Sequence, residues 1–423
     1  MQASFLESFF SSLQDEESRA AEIVSRAHRE LGEVFQGFEK TALANQNKVL
    51  NAFREQNIAV RHFTPTTGYG YGDDGRDALD RVFASALRTQ DALVRPQIVS
   101  GTHAIVLSLQ GLLQPGDTLV SATGKPYDTI EQAIGISGDA PGSLKSFSVS
   151  YLQSELNPDG SLNMQAIVAL AKDAKVVFFQ RSRGYAWRKA IELEEMGRCI
   201  REIKKVNPTC AIVVDNCYGE FVEEQEPTDV GADLIAGSLI KNPGGGLAPT
   251  GGYVAGKATL VERVAQRLTC PGIGREVGSY AQSYRPFYQG LFLAPHTVCQ
   301  ALKGAALFAR IFEIMGMKTL PLSTSRRSDI IQSVQFEKEE MLVKFCQTIQ
   351  SISPVDSHVL PYPWEMPGYQ DQVIMAAGAF VEGSSIELSA DGPIKPPYIA
   401  YLQGGLTYEH CILAAFHVAK ALF

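Results

Sequence analysis

Two short runs constrain this chain more than any other feature. Val176-Val177-Phe178-Phe179 and Ala211-Ile212-Val213-Val214 are apolar at every position. A strand with one wet face alternates apolar and polar residues, whereas an unbroken run belongs to a strand covered on both faces. Candidate strands at Thr118–Ala122, Phe147–Leu152, Lys175–Gln180, Ala211–Asp215, Leu234–Ile240 and Gly252–Ala255 alternate with helical stretches at Thr102–Leu113, Asn163–Lys172 and Ile191–Val206. That alternation predicts an α/β chain with a mainly parallel, doubly wound sheet. Right-handed crossovers then bring the strand C-termini to one edge, where ligands usually bind.

The rest of the chain divides around this pattern. Residues 1–56 read as an N-terminal helical segment, because Ile23, Ala27, Leu31, Val34 and Phe35 recur at three- and four-residue steps. Residues 57–297 form the large α/β domain. A helix predicted at Val298–Met315 leads into a smaller α+β domain, the two together covering residues 298–423. Its expected elements are strands at Val373–Phe380, Ser385–Leu388 and Tyr398–Leu402 and a closing helix at Glu409–Leu422, with proline-rich loops at 361–367 and 393–397.

Composition excludes several function classes. Lys and Arg number 38 against 46 Asp and Glu, a net charge of -8, and no basic run supplies the phosphate-neutralising footprint of a nucleic-acid binder. No stretch approaches the roughly 18 uninterrupted apolar residues of a membrane span. The start, MQASFLESFFSSLQDEESRA, lacks the positive region of a signal peptide. The 7 cysteines are odd in number and form no CxxC pair, which predicts a reducing, cytoplasmic setting. No cluster of histidine, cysteine and carboxylate has ligand spacing, so no metal is expected, and Glu223-Glu224-Gln225-Glu226 reads as a solvated acidic turn.

One motif misleads. Gly70-Tyr71-Gly72-Asp73-Asp74-Gly75 matches the dinucleotide fingerprint literally, but Phe63-Thr64-Pro65-Thr66-Thr67 precedes it where that fingerprint needs a strand. The segment is better read as a glycine-rich loop carrying two exposed tyrosines ahead of a helix.

The informative residues are spread over the predicted strand ends. Ser100-Gly101-Thr102-His103 opens a helix, where glycine admits an anion to the backbone and the threonine hydroxyl adds a donor; an ordinary helix cap would look the same. Asp215 closes a fully apolar strand, where a carboxylate is expensive to desolvate without a cationic partner. It is a counter-ion or a cap on the next turn. Lys241 ends the strand that carries Ser238 and precedes a flexible run, Gly244-Gly245-Gly246. In a confined site desolvation would lower its pKa and make it a nucleophile. The order is a phosphate cup, an acid for a pyridinium nitrogen, then Ser-x-x-Lys. These are the protein parts a pyridoxal phosphate enzyme needs.

With these segments the chain resembles the fold-type I pyridoxal phosphate enzymes. It is most similar to the methionine γ-lyase/cystathionine β-lyase-like group associated with aluminium resistance. The likeness is carried by TTGYGYGDDGRDALDRVFASAL, SGTHAIVLSLQGLLQPGD, QRSRGY, VVDNCYGEFVE, GSLIKNPGGGLAPTGGYVAG and SIELSADGPIKPPYIAYLQGGLTYEH, which span roughly residues 60–415.

The resemblance implies an aspartate-aminotransferase-like fold and pyridoxal 5'-phosphate as cofactor. By its pattern Lys241 forms the Schiff base and Asp215 keeps the ring nitrogen protonated. Gly101, Thr102 and Ser238 hold the phosphate, with His103 beside them. Tyr127 matches the tyrosine that stacks on the ring, and Tyr69 or Tyr71 one that reaches the phosphate of a neighbouring subunit. In the relatives an arginine follows that tyrosine two residues on, whereas here Arg76 comes five after Tyr71. The arginine that holds the substrate carboxylate has no clear match, leaving Lys395, Arg181 and Arg183 as candidates.

The implied function is carbon–sulfur bond cleavage in a cystathionine-, methionine- or cysteine-like amino acid by a homo-oligomer, dimer or tetramer, with sites between subunits. The alternatives are another pyridoxal phosphate reaction (transamination, racemisation or aldol cleavage) and a non-catalytic stress-response protein that retains the fold.

Overall fold

The computed structural model describes residues 6, 9, 15–138, 140–366, 369 and 371–422, with the side chains of residues 15–18 left aside. Parts of the expected N-terminal helical segment (residues 1–5, 7–8 and 10–14) lie outside that description, as does residue 367 of the proline-rich loop.

The larger sheet has seven strands: β1 (Asp91–Arg95), β2 (Thr118–Ser121), β3 (Ser150–Gln153), β4 (Val176–Gln180), β5 (Ala211–Asp215), β6 (Leu234–Ser238) and β7 (Gly252–Gly256), in the order β1-β7-β6-β5-β4-β2-β3. The pairs from β3 to β6 are parallel, while β7 runs antiparallel to both of its neighbours. All five positions of β4 are buried, the condition that its unbroken apolar run demanded. Helices Gly101–Leu112 and Ala258–Leu268 cover the sheet, and Leu93, Ile105, Leu109, Phe178, Val213, Val254 and Val264 share one core. Strand β1 was not among the predicted elements; Asp91 and Arg95 at its ends break the apolar pattern.

The second sheet is antiparallel throughout: β10 (Val373–Ala376), β11 (Ser389–Pro393), β12 (Ile399–Gln403), β9 (Gln332–Gln335) and β8 (Lys318–Leu320), in that order. The strand expected at Ser385–Leu388 forms slightly later, at β11. Strands β8 and β9 and the helix Glu339–Ser351 were not anticipated, and the predicted helix at Val298–Met315 begins earlier, running Arg285–Ile314 through Pro295.

Two compact units result. One contains Asn45–Gly184 and Arg188–Phe292; the other contains Met1–Ala44, Tyr185–Trp187 and Leu293–Phe423. Their limits fall inside the helices Gly32–Glu55 and Arg285–Ile314 and so differ from the divisions at 56/57 and 297/298 read from sequence. The N-terminal helix joins the second unit because Val24, Ala27 and Leu31 bury against the same core as Phe308, Phe312 and Phe416. No helix among the described residues is long and apolar enough to cross a membrane.

Candidate active site

The C-terminal edge of the large sheet gathers the predicted residues. Ser100 caps the helix Gly101–Leu112 by accepting a hydrogen bond from the His103 amide, which leaves the first-turn amides of Gly101 and Thr102 at the sheet edge. A Cβ at Gly101 would come within 3.1 Å of the Ser238 Cβ and 3.2 Å of the Cys217 Sγ. The capped helix start is therefore also a cradle that glycine keeps open beside Ser238.

Thr102 bonds the Tyr127 hydroxyl at 2.9 Å, and Gln180 at the end of β4 accepts from the Tyr127 amide. Burial raises the Tyr127 phenol, and Asp215 and Cys217 push it the same way, so the hydroxyl keeps its proton. The His103 Nδ1 accepts from the Val99 amide at 3.2 Å, and burial lowers its pKa toward the neutral imidazole.

Asp215 ends β5 almost fully buried. Its Oδ1 accepts from the Cys217 amide at 3.0 Å, and among the described residues no lysine or arginine forms an ion pair with it. Burial pushes its carboxyl up against the opposing pull of Lys241 and the Cys217 donors. A buried acid with no ion pair among the described residues, bonded to the amide of the Cys217 that borders a glycine-lined cradle, fits a cofactor that brings both a phosphate and a ring cation.

Lys241 lies just beyond β6, its Nζ 4.0 Å from the centre of the Tyr218 ring. Tyr218 has φ +70°, a conformation that a bulky residue adopts only under constraint. Burial by itself would lower the lysine, but Cys217, Tyr218, Asp215 and Tyr127 outweigh it and hold the ammonium well above its ordinary value. The expectation of a lowered lysine pKa is thus reversed, because the site is lined with acidic groups. The glycine run after it is not flexible either. Residues Asn242–Gly244 form a buried 3-10 turn, and a Cβ at Gly244 would overlap the Leu239 carbonyl oxygen.

Sequence reasoning missed a buried network behind Asp215. Arg181 is fully buried and donates to Asn216 Oδ1 (3.0 Å), the Gly219 carbonyl (3.1 Å) and Glu223 Oε1 (2.7 Å). Glu226 accepts from Asn216 Nδ2 and the Phe221 amide. The solvated acidic turn expected at 223–226 is corrected: Glu223 and Glu226 point inward because Arg181 and the loop amides satisfy them, and only Glu224 and Gln225 are exposed. The pattern DNCYGEF carried the signal, since an apolar strand leading into polar residues has to satisfy them locally.

The remaining candidates are placed as follows. Arg183 is buried at the same edge as Arg181. Lys395 belongs to the other compact unit and pairs with Asp371 at 2.8 Å. Tyr69 and Tyr71 are 74% and 67% exposed, their rings 5.6 Å apart. Their loop follows a 3-10 turn at Val60–Phe63 rather than a strand, and buried Arg76 holds it by donating to the Gly70 carbonyl. Arg76 thus supports the loop from within. Among the described residues no group of three histidines, cysteines or carboxylates gathers as a metal site.

The arrangement is that of a fold-type I pyridoxal phosphate enzyme. The profile of the family described as methionine gamma-lyase matches residues 20–423, and this chain belongs to that family. The chain is 48% identical to a carbon–sulfur lyase involved in aluminum resistance from Clostridium novyi NT; the match covers 96% of both chains with a TM-score of 0.93. It is 53% identical over 374 residues to the uncharacterized protein YnbB of Bacillus subtilis, covering 88% of this chain and 89% of that protein. The methionine gamma lyase CalE6 of Micromonospora echinospora shares the fold at 18% identity and a TM-score of 0.56, covering 84% of this chain and 88% of that one.

Proposed function

We propose that this chain is a pyridoxal 5'-phosphate-dependent carbon–sulfur lyase that cleaves a sulfur-containing amino acid by β- or γ-elimination. The observation that carries this reading is the meeting of Lys241, Asp215 and the Gly101–Ser238 cradle at one sheet edge, in a chain 48% identical to a carbon–sulfur lyase. The cofactor supplies an electron sink that acidifies the substrate Cα–H.

The protein's residues do the rest. Gly101, Thr102 and Ser238 would hold the phosphate, and the buried Asp215 carboxylate would keep the ring nitrogen protonated. Lys241 Nζ would anchor the cofactor and serve as the base that takes the substrate Cα proton. The Tyr127 hydroxyl, bonded to Thr102, assists proton movement as the thiol leaves. Water then releases a 2-oxo acid and ammonia.

Arg181 braces the Asp215 loop, which leaves Arg183 and Lys395 as the candidates for the substrate carboxylate. Tyr69 or Tyr71 would reach the phosphate of a second copy in a homo-oligomer, and the protein works in the cytoplasm.

The test is an absorbance spectrum before and after borohydride reduction, with the modified residue mapped. The expected result is a yellow protein with a reducible adduct on Lys241, absent in Lys241→Ala, and release of thiol and 2-oxo acid from a sulfur amino acid. A colourless protein that refuses added pyridoxal phosphate overturns the reading.

A further inference from the structure

Two residues after Tyr218 the chain buries another acid, Glu220, which the reaction above does not use. It is 0% exposed. Its Oε1 accepts from the Tyr253 hydroxyl at 2.8 Å, and its Oε2 has no hydrogen-bond partner. The other buried acids nearby are matched differently: Glu223 pairs with Arg181, and both Glu226 oxygens accept hydrogen bonds. No lysine or arginine among the described residues forms an ion pair with Glu220.

The surroundings are shaped around this group. Gly237, in strand β6 four residues before Lys241, pairs with Tyr253 across β6 and β7. A Cβ there would meet Glu220 Oε1 at 2.6 Å and Tyr253 Cε1 at 2.7 Å. Asn242, the neighbour of Lys241, donates to the Glu220 carbonyl at 3.0 Å. The acid is thereby tied to the strand and the turn that present the lysine.

We propose that Glu220 is a positioning residue for Lys241: a buried acid, locked by Tyr253 and tied through Asn242 to the turn that presents the lysine, whose ionisation makes the lysine amine harder to free. The inference deepens the lyase reading and rests on Lys241 being the cofactor lysine. Taking a lone carboxylate out of water disfavours its charged form. Burial pushes Glu220 up to about 8, with its own backbone and Tyr253 donors pulling down, Glu226 pushing up and Lys241 pulling down. Cys217 also faces it from the loop after β5, and its thiol is pushed well up by burial. The proton is lost into solvent as the pH rises, and the anion then stabilises the lysine ammonium.

Two measurements on the cofactor-free protein test this. Infrared difference spectra should show a protonated carboxyl band that titrates away near pH 8 and is missing from Glu220→Gln. Tyr253→Phe removes the phenol donor and should shift that titration upward. It also serves if Glu220→Gln fails to fold. Capture of pyridoxal phosphate by Lys241, mapped after borohydride reduction, should proceed alike in wild type and Glu220→Gln at neutral pH. Above the titration it should be severalfold faster in Glu220→Gln. No carboxyl band at neutral pH, or equal capture rates at every pH, overturns the proposal. If wild-type Lys241 captures no pyridoxal phosphate at all, the lyase reading fails instead, and the infrared band still decides the state of Glu220.

Discussion

Lys241 and Glu220 show how burial acts on opposite charges at the scale of single residues. Desolvation disfavours the ionised form of both, yet it wins only at Glu220, because the lysine is surrounded by acidic groups while the glutamate has no ion-pair partner. The consequence for stability has a definite sign. Glu220 holds its proton in the folded chain to about 8, whereas its ordinary value is 4.5. Between these values the folded state binds a proton that the unfolded chain has released. The group's contribution is therefore complete below 4.5 and is lost as pH rises through about 8. Asp80, Asp215 and Glu226 are also raised, so the wild-type slope is a sum and the difference from a variant isolates Glu220. We expect the denaturant midpoint of the cofactor-free protein to fall across that window more steeply in wild type than in Glu220→Gln. Parallel curves for the two proteins would show that Glu220 ionises normally.

At the scale of the element, the loop from Asn216 to Glu226 sets the geometry of the site. Tyr218 and Phe221 both take positive φ, at 70° and 60°, so the loop needs support from outside itself. Arg181 supplies it from the end of β4, and the helix Gly32–Glu55 adds more: Asn45 donates to the Phe221 and Glu223 carbonyls and Lys48 to that of Glu224. Removing the guanidinium takes a charged partner away from the buried Glu223 carboxylate. Breaking such a pair costs about 3–5 kcal/mol, whereas replacing both partners by apolar groups of similar size is often close to neutral. Arg181→Ala should therefore lower the urea midpoint strongly, and Arg181→Met with Glu223→Leu should recover most of the loss. A single variant as stable as wild type would mean that the loop holds its shape without this brace.

The elements themselves were legible to differing degrees, for physical reasons. Strand β5 occupies the predicted residues, Ala211–Asp215, because an unbroken apolar run bounded by polar residues has one reading at that length. The helix that carries Gly101 and Thr102 was found to within one residue, since Ser100 caps it. Strands β8 and β9 were not legible. They are short and contain Lys318, Gln332, Ser333 and Gln335, and they become strands only by pairing with their neighbours.

On the scale of the whole molecule, the family membership covers residues 20–423, so both compact units belong to one enzyme type. The exposed and mutually packed Tyr69 and Tyr71 bear on assembly. If they complete the site of a second copy, an inactive Lys241→Ala protein and an inactive Tyr69→Ala/Tyr71→Ala protein supply complementary halves. Mixing the two after mild dissociation should restore part of the lyase activity, which neither has alone. A mixture as inactive as its components, with hybrids verified by mass, would place the tyrosines in their own chain's site or outside it.

The sequence by itself determined the doubly wound sheet and the positions of Asp215 and Ser238 at the ends of its strands, with Lys241 three residues further on. Apolar periodicity and local spacing follow from backbone geometry, which repeats every few residues and is legible along the chain. Only the tertiary structure decided what surrounds those groups. The acids that raise the lysine, the arginine that braces the Asp215 loop and the burial of Glu220 against Tyr253 depend on residues tens of positions apart coming into contact. Charge and burial act through space, and no spacing along the chain records which distant groups will share a low-dielectric site.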